Sequence, residues 1–147
     1  MKRDFHTRLM YSRQNPVFGK LAYFLLKMLG CEIPLAVKVA PGCVLLHGGF
    51  GVVIHPTTVL DENVRIYPGV TLGRADIHVS AEHSDFQGIR VEAGAILGSG
   101  AKILGKNGLL VVGRGSVIGA NAVLLESTGE NEIWAGVPAR RVGNRAE

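Results

Sequence analysis

The sequence predicts an all-β chain wound as a hexapeptide β-helix, and three observations carry that expectation. Aliphatic residues recur at a six-residue spacing, interrupted after Leu45, Leu72 and Ile103, at Ile33, Val39, Leu45, Ile54, Leu60, Ile66, Leu72, Val91, Leu97, Ile103, Val112, Ile118 and Leu124. This is a repeat period, and the two-residue alternation of a β-sandwich would not keep phase through it. The fifth place of the hexads is small or β-branched, as at Val37, Cys43, Thr58, Val64, Ala95, Ala101, Ser116 and Ala122. Glycine often fills the second or fourth place, as in Leu97-Gly98-Ser99-Gly100, where a tight corner excludes a bulky Cβ.

Residues 1–30 read as a separate helical segment. Lys2, Arg3, Arg8, Arg13, Lys20 and Lys27 stand against Asp4 there, so the formal net charge of +4 belongs to this segment, and the remainder is near neutral. Asn15-Pro16 reads as an N-cap with proline at the first helical position. Val17, Leu21, Phe24 and Met28, beside Phe18, Ala22, Leu25 and Leu29, then form a broad apolar stripe at helical spacing. Such a helix packs on the open end of the prism or on a sister subunit; a peripheral membrane contact is the second reading. Nucleic acid is not an expected partner, because basic and aromatic residues do not interleave along the repeats.

Residues 31–147 carry the repeats. Three hexads make one triangular coil, and each inward residue stacks on its counterpart one coil away, so neighbouring coils stabilise each other. The spacings between Ile33, Ile54, Leu72, Ile103 and Leu124 are 21, 18, 31 and 21 residues. About four coils result, with a short insert just beyond His47, a long loop 74–88 after Gly73, and another short insert near Leu104. The first follows a third hexad and the others a first hexad, so two different edges of the prism carry loops. A C-terminal tail follows, in which Trp134 is expected to pack on the last coil.

The chain of 147 residues fits one domain. No apolar run is long enough to cross a bilayer, and no signal-peptide pattern opens the chain. Cys31 and Cys43 fall inside the repeats as small core or corner residues, which points to a reducing cytoplasm and away from a disulfide framework.

Longer motifs sharpen this reading. The stretch from Glu32 through His47, followed by Gly48-Gly49-Phe50-Gly51-Val52-Val53-Ile54, resembles the first coil of the serine acetyltransferase family of hexapeptide-repeat acyltransferases. The resemblance runs on through Gly69-Val70-Thr71-Leu72-Gly73, Gly98 to Gly105, Val112-Gly113-Arg114-Gly115 and Ala135-Gly136-Val137-Pro138-Ala139-Arg140, and covers about residues 31–145. It implies a left-handed β-helix, a homotrimer, and acetyl-CoA bound along the groove between neighbouring prisms. It also implies that His47 is the general base for an acceptor hydroxyl and that Glu32 orients its imidazole. Gly73, Ser99 and Ala120 match places where the pantetheine arm approaches the backbone, and Lys102, Arg140 and Arg141 are candidates for the CoA phosphates.

Departures from the serine enzymes bear on the acceptor. Leu46 replaces their acidic residue before the histidine, and their Arg-His pair aligns with Gln87-Gly88. About thirty residues stand before the repeats where those enzymes carry a large helical domain. These differences point to a sugar hydroxyl of an exopolysaccharide or capsule precursor, with Leu46, His55, Tyr67 and Phe86 lining its pocket. Serine of cysteine biosynthesis is the alternative acceptor. A carbonic-anhydrase-like metal site using His78 and His83 and a non-catalytic scaffold are remoter alternatives; no metal is expected, because those two histidines lie outside the hexad phase.

Overall fold

The computed structural model describes residues 4–146. Two helices, α1 (Phe5–Ser12) and α2 (Gly19–Met28), precede β1 (Lys38–Val39), β2 (Val44–Leu45), β3 (Val53–Ile54) and β4 (Val59–Leu60). The chain continues through β5 (Arg65–Ile66), β6 (Thr71–Arg74), β7 (Phe86–Val91), β8 (Ile96–Leu97), β9 (Lys102–Gly105) and β10 (Gly108–Val112). It ends with β11 (Val117–Ile118), β12 (Val123–Leu124), β13 (Glu132–Gly136) and β14 (Ala139–Asn144).

Successive strands fall in rotation onto three parallel sheets, ordered β1-β4-β7-β10, β2-β5-β8-β11-β13 and β3-β6-β9-β12. This is a parallel β-helix, and its register follows the hexads. Val39 pairs with Leu60, then Val91, then Val112. Leu45, Ile66, Leu97, Ile118 and Trp134 form the second ladder, and Ile54, Leu72, Ile103 and Leu124 the third. Their side chains fill one continuous core. At the corners, left-handed asparagines stack over left-handed glycines: a Cβ on Gly42, Gly100 or Gly115 would stand 2.0–2.1 Å from the Oδ1 of Asn63, Asn121 or Asn131. The spacing pattern therefore depends on glycine there for steric reasons as well as for its φ.

The N-terminal segment departs from expectation. It holds two helices, and the sequence pattern suggested only the second. Asp4 caps α1 by accepting from the Thr7 amide at 2.8 Å, and α1 closes the open end of the prism. The amides of Leu45 and Cys43 donate to Thr7 Oγ1 and the Tyr11 hydroxyl at 3.0 and 2.9 Å, and Tyr11 donates to the Ala40 carbonyl at 2.8 Å. The buried Arg13 guanidinium donates to the carbonyls of Pro34 and Val37, and Gln14 to that of Val39. Side chains thus satisfy backbone groups that no further coil pairs. Burial lowers Arg13 to about 10, with its charge held by those carbonyls.

Asn15 does accept from the amides of Val17 and Phe18, but it caps a turn, and α2 begins at Gly19. The face α2 buries is Gly19, Ala22 and Leu26, against α1. Gly19 permits that approach, because a Cβ there would lie 2.3 Å from the Arg13 carbonyl oxygen. Most of the expected stripe points outward, with Val17 76% and Met28 70% exposed. At the other end β13 and β14 form an antiparallel hairpin, and Trp134 packs over Ile118 with its indole N–H on Glu132 at 2.8 Å. Cys31 and Cys43 are free and buried.

Candidate active site

One corner of the prism, between the β2 sheet and the β3 sheet, collects five of the expected site residues. Leu46-His47, Tyr67-Pro68, Gly98-Ser99 and Gly119-Ala120 each follow the inward residue of successive strands there, linked by amide-to-carbonyl bonds such as Tyr67 to Leu97 and Gly98 to Ile118. The short insert makes this corner unusual at its first level. Leu46–Gly49 forms a 3-10 turn broken at His47 and Gly48, with His47 left-handed at φ 51°, ψ 37°. His47 emerges exposed, its ring centroid 6.1 Å from that of Tyr67. A non-glycine residue in this region is uncommon and draws attention as a functional position.

The bond expected between Glu32 and His47 is not formed. Glu32 bridges to Val53 on the β3 sheet, and α2 lies against it. The Tyr23 hydroxyl donates to Glu32 Oε1 at 2.5 Å, and the Lys27 ammonium sits 3.1 Å from Oε2. These contacts, the Tyr23 hydrogen bond foremost, hold the Glu32 carboxyl below the usual carboxylate range. Tyr23 and Lys27 went unrecognised in the sequence, where their only signal was four-residue spacing on the predicted helix.

The remaining acceptor candidates lie at the other end of the β3-sheet strands. His55 packs edge-on against Phe86 with centroids 5.1 Å apart, and its Nδ1 contacts Thr57 Oγ1 at 2.8 Å. Burial, then the nearby Arg74 charge, lowers its pKa and favours the neutral ring. Loop 74–88 is braced beside it. Arg74 donates from Nε to Asp76 Oδ1 at 2.9 Å and from Nη2 to the Val79 carbonyl at 2.9 Å, and Ser84 donates to Asp76 Oδ2 at 2.6 Å. The candidate acceptor residues of a single chain therefore fall into two separate groups, Leu46 and Tyr67 with His47 on one edge and His55 and Phe86 with the loop on another.

Of the expected cofactor positions, Ser99, Ala120 and Lys102 line the His47 corner, whereas Gly73 follows Leu72 at the His55 end of the β3-sheet strands. Ser99 and Ala120 expose small side chains above His47. Gly73 is informative: an added Cβ would meet nothing closer than 3.8 Å, so packing within the chain does not demand glycine there. Gly98 is the reverse case, since its Cβ would lie 2.7 Å from the Ile118 carbonyl oxygen. The Lys102 ammonium donates to the Gly69 carbonyl at 2.6 Å, which places it at the same corner. Arg140 and Arg141 lie on β14, where Arg141 contacts Glu132 at 3.3 Å and Asn144 at 2.8 Å, and Arg140 is 3.8 Å from Glu126. Among the described residues no group of three or more His, Cys, Asp or Glu side chains gathers as a metal site, and His83 is engaged by Ser80 at 2.7 Å.

No family model matches the chain. Individual proteins do. A Helicobacter pylori protein named serine acetyltransferase is 33% identical over 145 residues, spanning 93% of this chain and 80% of its own length. The chain belongs to the serine acetyltransferase family. The Salmonella typhimurium serine acetyltransferase is 38% identical over 112 residues, which cover 76% of this chain and 38% of that protein. The crystal structure of the Brucella abortus serine acetyltransferase in complex with coenzyme A superposes with a TM-score of 0.74 at 31% identity, covering 96% of this chain and 54% of that one. The chain thus spans about two fifths to half the length of several of these family members. Closeness to exopolysaccharide and capsule enzymes, expected from Leu46 and Gln87-Gly88, finds no support: the Helicobacter, Salmonella and Brucella proteins are all named serine acetyltransferases.

Proposed function

We propose that this protein is an acetyl-CoA-dependent O-acetyltransferase whose acceptor is L-serine, working in the cytoplasm as a left-handed β-helical homotrimer. The observation that carries the reading is His47, exposed on a left-handed corner turn and followed along that corner by the small residues of Ser99 and Ala120. Three rungs of about 4.8 Å separate the levels of His47 and Ala120, so the corner offers a track of roughly 15 Å for an extended arm. Membership of the serine acetyltransferase family and the coenzyme A complex of the Brucella abortus protein support acetyl-CoA as co-substrate.

Acetyl-CoA supplies the acyl group as a thioester. The neutral His47 imidazole takes the proton of the acceptor hydroxyl as the oxygen attacks the thioester carbonyl, and returns it to the departing CoA thiolate. Gly73, Ser99 and Ala120 admit the arm closely, while Lys102, Arg140 and Arg141 supply positive charge for phosphates. Glu32 acts on the ring only after leaving the grip of Tyr23 and Lys27, so its role as orienting carboxylate belongs to the reading of the family motif. Trimer formation would bring the loop edge of one prism to the His47 corner of the next, joining His55 and Phe86 to Leu46 and Tyr67.

A sugar hydroxyl is the second reading, favoured by Leu46 and Gln87-Gly88, where the amine and carboxylate of serine would otherwise find charged partners. Peripheral membrane contact through residues 1–30 has less to draw on, because Arg13 is buried and Lys27 is paired with Glu32. A panel of L-serine, other hydroxy amino acids, nucleotide sugars and oligosaccharides, assayed by thiol release from acetyl-CoA, tests the proposal. The serine reading requires L-serine to be preferred; turnover confined to sugars would replace it.

A further inference from the structure

The turn that presents His47 has an unusual foundation. Gly48 and Gly49 continue its left-handed path at φ 76° and 60°, and both are buried. Their surroundings leave no slack: a Cβ on Gly48 would lie 2.9 Å from the Phe50 ring and 3.1 Å from that of His6, and one on Gly49 would lie 3.0 Å from Leu45 Cβ. Beneath them the Cys31 thiol, 1% exposed, donates to the Gly49 carbonyl at 3.0 Å, with the Gly48 carbonyl at 3.5 Å. Among the described residues no other donor reaches the Gly48 carbonyl, whereas Gly49 also accepts from the Val52 amide at 3.0 Å.

We propose that Cys31 is a positioning residue for acetyl transfer: its thiol ties the carbonyls after His47 to the first rung of the β-helix and so fixes the direction in which the imidazole leaves the corner. The inference rests on the reading of His47 as the base. Burial pushes the thiol up to about 11, so it stays protonated and remains a donor across the neutral range. A Gly48 carbonyl turned inward without a donor would swing the turn, and displacement of a catalytic group by about 1 Å can cost about 10²-fold in rate.

The molecule carries its own control. Cys43 is equally buried and donates its thiol to the Asp61 carbonyl at 3.0 Å, on a different corner, away from His47. Cys31→Val, Cys31→Ser, Cys43→Val and His47→Ala should be compared in the full chain for kcat, KM for acetyl-CoA and thermal midpoint. Cys31→Val is expected to lower kcat by about tenfold or more at unchanged KM. Cys31→Ser, which keeps a donor, should recover to within about threefold of the parent, and Cys43→Val should lose stability with the parent's kcat. Equal kcat for Cys31→Val and Cys31→Ser would overturn the role of the donor, as would an equal loss in Cys43→Val. If Cys31→Val does not fold, Cys31→Ser read against Cys43→Ser decides: a tenfold loss for Cys31→Ser alone contradicts rescue by a hydroxyl. Full activity in His47→Ala would instead remove the reading of the base on which the inference stands.

Discussion

At the scale of single residues, glycines separate what the fold requires from what a ligand requires. Gly98 has no room, since an added Cβ would lie 2.7 Å from the Ile118 carbonyl oxygen, whereas Gly73 has room and an ordinary φ. Gly98→Ala is therefore expected to destabilise the chain by about 1–3 kcal/mol, the usual cost of overpacking. Gly73→Ala should leave the thermal midpoint unchanged while raising the KM for acetyl-CoA by about tenfold, which is that same cost paid at the ligand. Calorimetry beside steady-state kinetics checks the pair, and a destabilised Gly73→Ala with unaltered KM would make Gly73 a corner residue only. Glu32 shows the limit of reading residues from a motif. Its place in the sequence matched an orienting carboxylate, but its neighbours in space come from α2, and those contacts depend on how a helix docks.

At the scale of elements, loop 74–88 is organised around a carboxylate. The Asp76 carboxyl is held at about 2, against an ordinary 3.8, by hydrogen bonds from Arg74 and then Ser84. Because the folded value is the lower one, the stabilisation is fully present above pH 3.8 and is lost as the pH falls through about 2. Hydrogen exchange of the loop amides should stay slow from neutral pH to about 4, after allowance for intrinsic rates, and rise below it; Asp76→Asn should exchange fast at every pH. Protection that stays flat in the parent as the pH falls from about 4 to about 2 would contradict the brace. The loop's existence was legible in the surplus of residues between Leu72 and Ile103, and so were the strands, because stacking of one inward residue per hexad forces a period that survives in the sequence. The first helix was not legible. Its work is done by Thr7, Tyr11 and Arg13 meeting particular carbonyls and amides, and such pairings leave no periodic trace. The stripe on α2 was legible as a pattern but not in its direction, since a small-residue face of Gly19 and Ala22 packed more closely on α1 than the bulky face did.

At the scale of the whole molecule, candidate acceptor residues lie on two different edges of the prism, and the proposed trimer would join them. In the proposed trimer the corner bearing His47 would meet the loop-bearing edge of the next prism, so mixing His47→Ala chains with chains lacking loop 74–88 should regenerate some active sites. Partial recovery of thiol release in mixed trimers is expected, and its absence in trimers shown to be mixed would place the entire site within one chain. Acetyl transfer to serine with His47 as the base is decided by the initial rate of L-serine-dependent thiol release from acetyl-CoA, measured for the parent and for His47→Ala with fold and assembly matched. O-acetylserine is expected from the parent and a rate about 10² to 10⁴ lower in the variant; no serine-dependent release by the parent, or a variant within a few-fold of it, would rule out serine transfer by His47.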